Sequence, residues 1–252
     1  MILEKFRLDN QVAVVTGGTK GIGKAIAIAL AEAGADIAVV SRKPSPEVEE
    51  YITKLGRRFI HHAADLTRRT ETKKVIPSVV KNMGDVNILV NNAGICPRAP
   101  AEEYPEEYWD ATLEIDLSAV FILSQAAGRI MLKKGKGKII NIASVLSFQG
   151  GLNIPAYSSA KHAVAGLTKA LANSWAGKGV NVNAIAPGYF DTELTEDLKK
   201  DPERSKSLLS RVPAGRWGDP EDIAGAAVFL ASPASDFLHG AILAVDGGWL
   251  AW

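Results

Sequence analysis

The chain has 252 residues, 47% of them hydrophobic, enough for one sizeable core in a single domain. Its 29 Lys and Arg nearly balance 28 Asp and Glu, and no basic stripe interleaved with aromatics is visible, which excludes nucleic acid as an expected partner. A single cysteine, Cys96, excludes an internal disulfide and fits a reducing compartment.

The opening MILEKFRLDN is interrupted by Glu4 and Lys5 and does not read as a signal peptide. QVAVVT is the first expected strand. The longest apolar stretch, AIAIALAEAGADIAVV, carries Glu32, Asp36 and a glycine. It reads as a helix, a turn and a second strand, not as a membrane span. No membrane partner is expected, and the protein is expected to be cytoplasmic. RRFIHHA, VNILVNN, KIINIAS, VNVNAIAP and ILAVDG follow as further strands. They are almost continuously apolar, as parallel strands covered on both faces must be. Amphipathic stretches such as GKAIAIALAEAG and ETKKVIPSVVKNMG lie between them, with Gly34 and Gly84 as stop signals. This alternation predicts an α/β fold: a doubly wound, Rossmann-type domain spanning 1–252, with a parallel sheet of about seven strands and helices on both faces. The segment from about Gly188 to Asp219 shows no strand pattern and is rich in charge and proline, which predicts a lid or binding loop.

Two strand ends carry features that suit a dinucleotide. The first strand runs into TGGTKGIG, where Gly17, Gly21 and Gly23 open the first helix. Glycines there let the backbone approach a pyrophosphate, and the helix N-terminus supplies free N–H groups. The spacing is G-x-x-x-G-x-G, so tight turns alone would also explain it. The second strand ends in Ser41, Arg42 and Lys43, with no carboxylate. An acid at this place would accept a bond from a ribose 2′-hydroxyl, whereas cations suit a 2′-phosphate. Lys20 is placed to reach the same phosphate. NADP(H) is therefore the preferred cofactor, with NAD(H) possible.

A third group lies in SVLSFQGGLNIPAYSSAK. Tyr157 and Lys161 are four residues apart and share a helix face, and Ser144 lies thirteen residues before Tyr157 at a strand end. A phenol titrates near ~10, too high for a base at neutral pH, and an adjacent ammonium lowers it. Tyr157 thus reads as proton donor and acceptor, Lys161 as its tuner, and Ser144 as a hydrogen-bonding partner of the substrate oxygen.

TGGTKGIG, Asp65-Leu66, NNAG from Asn91 to Gly94, Ser144, YSSAK and PGYFDT stand in the order and spacing of the short-chain dehydrogenases/reductases, and the chain resembles that family over its whole length. INIASVLSFQGG, VNAIAPGY, RVPAGRWG and AVDGGWLAW most resemble its sugar-acid branch, the 2-deoxy-D-gluconate 3-dehydrogenase and gluconate 5-dehydrogenase types. The resemblance implies that Gly17, Thr19, Lys20, Gly21, Ile22 and Gly23 line the pyrophosphate and adenosine. It places Asp65 and Leu66 beside the adenine, and has Asn91, Ala93 and Gly94 pass beside the ribose and hold the central strand. Pro187, Gly188, Phe190 and Thr192 would place the nicotinamide, and Lys161 would also hold its ribose. A homotetramer is implied, and the apolar tail with its two tryptophans fits an interface.

One position departs from the pattern: Asp116, in EIDLSAVF, stands where the family usually has Asn. The resemblance gives this residue a backbone carbonyl role in a proton relay to the lysine. A carboxylate near Lys161 would weaken its effect on Tyr157 and move alcohol oxidation to a more alkaline optimum, unless Asp116 is protonated or points away. For substrate, Arg98 is a candidate for a carboxylate and Gln149 for a hydroxyl. His61 and His62 read as structural, Cys96 has no redox partner, and no metal site is expected.

These residues predict an oxidoreductase that moves a hydride between NADP(H) and a small hydroxylated substrate, a sugar acid or polyol. Two alternatives stay open: reduction of a 3-oxoacyl thioester on a carrier protein, and a cofactor-binding protein with impaired catalysis.

Overall fold

The computed structural model describes residues 1–251. Seven parallel strands form one sheet in the order β3-β2-β1-β4-β5-β6-β7. They are β1 (Val12–Thr16), β2 (Asp36–Ser41), β3 (Phe59–Ala63), β4 (Ile88–Asn91), β5 (Gly137–Ile142), β6 (Val180–Pro187) and β7 (Ile242–Val245). Every residue of β1, β4, β5 and β6 is buried, including Asn181 and Asn183 of β6, whose amides donate to the Asp236 and Leu238 carbonyls.

Nine helices lie around the sheet among the described residues: α1 (Gly21–Glu32), α2 (Pro46–Lys54), α3 (Arg69–Met83), α4 (Glu106–Leu113), α5 (Ala119–Lys134), α6 (Pro155–Trp175), α7 (Glu196–Lys200), α8 (Pro202–Leu209) and α9 (Ala224–Ala231). One face is filled by Ile26 and Leu30 of α1 with Ala227 and Leu230 of α9. The other is filled by Val75 and Val79 of α3 with Leu123, Ala127 and Met131 of α5. The run from α4 through α5 is long and apolar enough to cross a membrane, but this buried seam packs on the sheet.

Sequence signals end the helices as expected. Gly84 closes α3 at φ 88°, a left-handed conformation that favours glycine. The 188–219 segment differs from the expected irregular loop, because it contains α7 and α8. Asp201 caps α8 by accepting from the Glu203 and Arg204 N–H groups at 3.1 and 3.0 Å, and Pro202 fills the first helical position. The Asp-Pro pair was the signal for this helix.

The chain crosses from one side of the sheet to the other between β3 and β4, so β1 and β4 are neighbours whose following loops part in opposite directions. The crevice at their carboxyl ends is where open α/β sheets bind ligands.

Candidate active site

The glycine loop lies in that crevice. A Cβ on Gly23 would come within 2.2 Å of the Gly17 carbonyl oxygen, so only glycine lets α1 start this close to β1. No side chain caps α1, which leaves its first N–H groups free for an anion. Asn92 holds the loop, donating to the Thr16 carbonyl at 2.8 Å, while Thr16 Oγ1 accepts from the Asn92 and Ala93 N–H groups at 2.9 Å each. Neither Thr16 nor Asn92 was singled out from sequence, although Asn92 lies inside NNAG.

Asn91 holds the central strand, as the resemblance implies: its side chain points into the interior, donating to Ser124 Oγ at 3.0 Å and Asn141 Oδ1 at 2.8 Å, so it ties β4 to β5 and α5. Phe190 is a core residue whose backbone bridges to Gly218. Thr192 lies against Gly21.

The cations after β2 have neighbours that the sequence did not reveal. Lys20, at the glycine loop, forms an exposed ion pair with Glu193. Arg42 and Lys43 are exposed. Asp65 is held below the usual carboxylate range by the Thr67 hydroxyl first, with Arg68 and Arg42 adding to this. Ser41 Oγ meets His61 Nε2 at 2.9 Å, so His61 belongs to this corner. The free N–H groups of α1 and the exposed Arg42 and Lys43 fit a phosphorylated dinucleotide.

The proton-handling group sits across the crevice. Pro155 opens α6, whose first turns carry Tyr157 and Lys161. Ser144 lies two residues beyond β5, and its Oγ accepts from the Leu146 N–H at 3.1 Å, leaving its hydroxyl proton to donate. Lys161 is buried, with Nζ 5.2 Å from the Tyr157 ring centroid. It donates to the Ile142 carbonyl at 2.9 Å and lies 3.1 Å from Asp116 Oδ1.

Asp116 does not point away. A π-helical turn at Glu114–Ser118, between α4 and α5, turns it inward, where Oδ2 accepts from the Ile95 N–H at 3.0 Å. A Cβ on Gly94 would meet Asp116 Oδ1 at 2.3 Å, so Gly94 makes room for the carboxylate. Burial raises the Asp116 carboxyl, and Lys161 opposes this. Burial alone would lower Lys161, but Asp116 and Tyr157 outweigh it and hold the ammonium above its ordinary value. Burial also raises the Tyr157 phenol. Lys161 pulls it down as the sequence argument requires, but Asp116 acts against Lys161, and the phenol stays above its ordinary value.

A cavity beside Tyr157 is lined by Ser144, Cys96, Arg98, Tyr189 and Arg204. It adjoins a second, lined by Gln149, Tyr189, Arg204, Arg211 and Trp249. Arg98 and Gln149 therefore both border the site. Burial pushes the Cys96 thiol up to about 11, which leaves it unreactive near neutral pH. Trp249 corrects the reading of the tail: it is only 3% exposed, packed 4.7 Å from the Tyr189 ring and under the Arg211 guanidinium at 4.0 Å. Trp252 lies outside the described residues.

The family described as enoyl-(acyl carrier protein) reductase matches residues 17–250. The 2-dehydro-3-deoxy-D-gluconate 5-dehydrogenase of Bacillus subtilis (strain 168) is 52% identical over 249 residues, 98% of each chain. A solved structure from Agrobacterium tumefaciens with bound NADP is 50% identical, covers 98% of this chain and 99% of its own, and has a TM-score of 0.93. A gluconate 5-dehydrogenase from Burkholderia cenocepacia J2315, solved with NADP and tartrate, is 40% identical over 100% of both chains, with a TM-score of 0.95. With the strand order, the glycine loop and the Ser144–Tyr157–Lys161 group, these relationships place the chain in the short-chain dehydrogenase/reductase family.

Proposed function

We propose that the protein is an oxidoreductase that interconverts a secondary alcohol and a carbonyl on a hydroxylated sugar acid, with NADP(H) as cofactor. The observation that carries this reading is the position of Ser144, Tyr157 and Lys161 across one crevice from the uncapped N-terminus of α1. Relatives named as sugar-acid dehydrogenases, and NADP in two of the related structures, support the substrate class and the cofactor.

The loop at 17–23 holds the pyrophosphate on backbone N–H groups, and Arg42 and Lys43 meet the 2′-phosphate. When bound, the nicotinamide supplies or accepts the hydride. Ser144 donates its hydroxyl proton to the substrate oxygen and fixes it beside Tyr157. Tyr157 takes the alcohol proton during oxidation and returns it during reduction. Lys161 stabilises the phenolate electrostatically, at a strength set by Asp116. The 188–219 segment, tied to the glycine loop through Lys20 and Glu193, acts as the lid.

The chain assembles as a homotetramer in the cytoplasm. The fully exposed Phe237 and the partly exposed Phe121 and Trp109 are apolar groups that an interface would cover, and light scattering tests this.

Nicotinamide absorbance with NADP(H) across gluconate-type hydroxy and keto acids, simple polyols and a 3-oxoacyl thioester tests the activity. Turnover of the acids is expected. Turnover of the thioester with none of the acids would replace this reading with the carrier-protein one.

A further inference from the structure

The second cavity, beyond Tyr189 from the Tyr157 side, has a chemistry that the proton-handling group does not use. Two arginines enter it. Arg204 projects from α8 and borders both cavities, and Arg211 follows α8. Arg98 borders the cavity beside Tyr157. Burial raises the Tyr189 phenol, and the positive charges of Arg204, Arg211 and Arg98 act against this.

These guanidinium groups form no ion pair among the described residues, whereas those of Arg7, Arg58, Arg68, Arg69 and Arg216 do. Guanidinium groups clustered in a concave site favour an anion.

The cavity is also built rather than incidental. Leu208, Val212, Leu146, Ile154 and Trp249 form a small dry core beneath α8. Trp217 Nε1 donates to Ser205 Oγ at 3.1 Å, pinning α8 to the returning chain. Arg211 is stacked on Trp249, which fixes its plane. The Trp249 indole Nε1 is buried and has no hydrogen-bond partner among the described residues.

We propose that Arg204 and Arg211, the latter stacked on Trp249, form the subsite that holds the carboxylate of the acid substrate. A planar carboxylate matches the two-pronged guanidinium, and Gln149 on the same wall is placed for a hydroxyl. Substrate specificity then resides in α8, because moving this helix moves the charge that anchors the acid. The inference rests on the sugar-acid reading above.

The test compares Arg204→Gln, Arg204→Lys, Arg211→Gln and Arg98→Gln with the parent. KM and kcat are measured for a gluconate-type acid and for an uncharged ketone, and calorimetry follows tartrate binding to the NADP+-saturated protein. Arg204→Gln is expected to raise the acid's KM by about tenfold to a hundredfold, from the usual strength of a charged hydrogen bond. The ketone's KM and NADPH affinity are expected to stay at the parent's values. Arg211→Gln should act in the same direction, and Arg204→Lys should restore only part of the loss. Tartrate affinity should fall in parallel.

Equal loss with the acid and the ketone would make Arg204 a structural residue and overturn the proposal. So would unchanged acid KM in Arg204→Gln and Arg211→Gln, with the loss confined to Arg98→Gln. If the parent turns over no acid, the sugar-acid reading fails. The anion subsite then stands if tartrate binding depends on Arg204 and falls if it does not.

Discussion

The Asp116 carboxylate stands 3.1 Å from the Lys161 ammonium, with both side chains shut away from water. Their charges balance inside the protein, so Lys161 keeps its proton while giving Tyr157 only part of its field. Removing one partner of such a buried pair leaves the other uncompensated, whereas an isosteric amide keeps the shape and removes the charge.

Asp116→Asn therefore separates electrostatics from structure. With the carboxylate gone, Lys161 acts on Tyr157 unopposed, and the phenol ionises more readily. Oxidation needs the phenolate, so the rising limb of its pH–rate profile is expected to move to lower pH by about one unit. An unmoved limb in a folded variant would mean that the two charges are not coupled to Tyr157.

The parent's own pH dependence follows from the same shift. The Tyr157 phenol lies above its ordinary value of 10.0, so the phenolate fraction grows throughout the neutral and mildly alkaline range. Oxidation is expected to accelerate steadily with pH there. Reduction needs the phenol and is expected not to lose its proton donor over that range. Rate profiles in the two directions check this. An oxidation rate that levels off near neutral pH would contradict it.

Gly94→Ala places a methyl group 2.3 Å from Asp116 Oδ1, against a fully buried side chain that cannot retreat to solvent. Overpacking of this kind costs about 1–3 kcal/mol. Denaturant melts should show that loss in Gly94→Ala, and a smaller one when the substitution is made in an Asp116→Ala background. Additive losses would show that the contact is not where the strain lies.

Much of this was legible in the sequence, for identifiable reasons. The buried strands announce themselves as largely apolar runs, most plainly in β1 and β4, since they are covered on both faces. Tyr157, Lys161 and Ser144 were legible because an i,i+4 pair and a strand end are local features. Contacts between distant segments were not. Nothing local in Glu193 tells that it takes Lys20, nothing in Asn91 and Asn92 tells which one turns inward, and nothing in Arg204 tells that it shares a cavity wall with Tyr189. The α8 helix was missed despite its Asp-Pro start because a charged surface helix of eight residues has little apolar periodicity to show.

The cofactor reading turns on Arg42 and Lys43. Replacing both with Ala removes two cations from the 2′-phosphate corner and leaves the α1 N-terminus intact. KM for NADP+ is expected to rise about tenfold or more, while KM for NAD+ changes little. Parallel changes with both cofactors would assign these residues to the loop's structure and not to phosphate recognition.

The most direct test of the central claim is turnover of a gluconate-type acid by Tyr157→Phe, read against NADPH binding in the same preparation. The account predicts binding close to the parent's and a rate lower by about a hundredfold to ten-thousandfold, the usual worth of a positioned acid–base group. Turnover near the parent's rate, with binding intact, would remove Tyr157 from the chemistry and contradict the account.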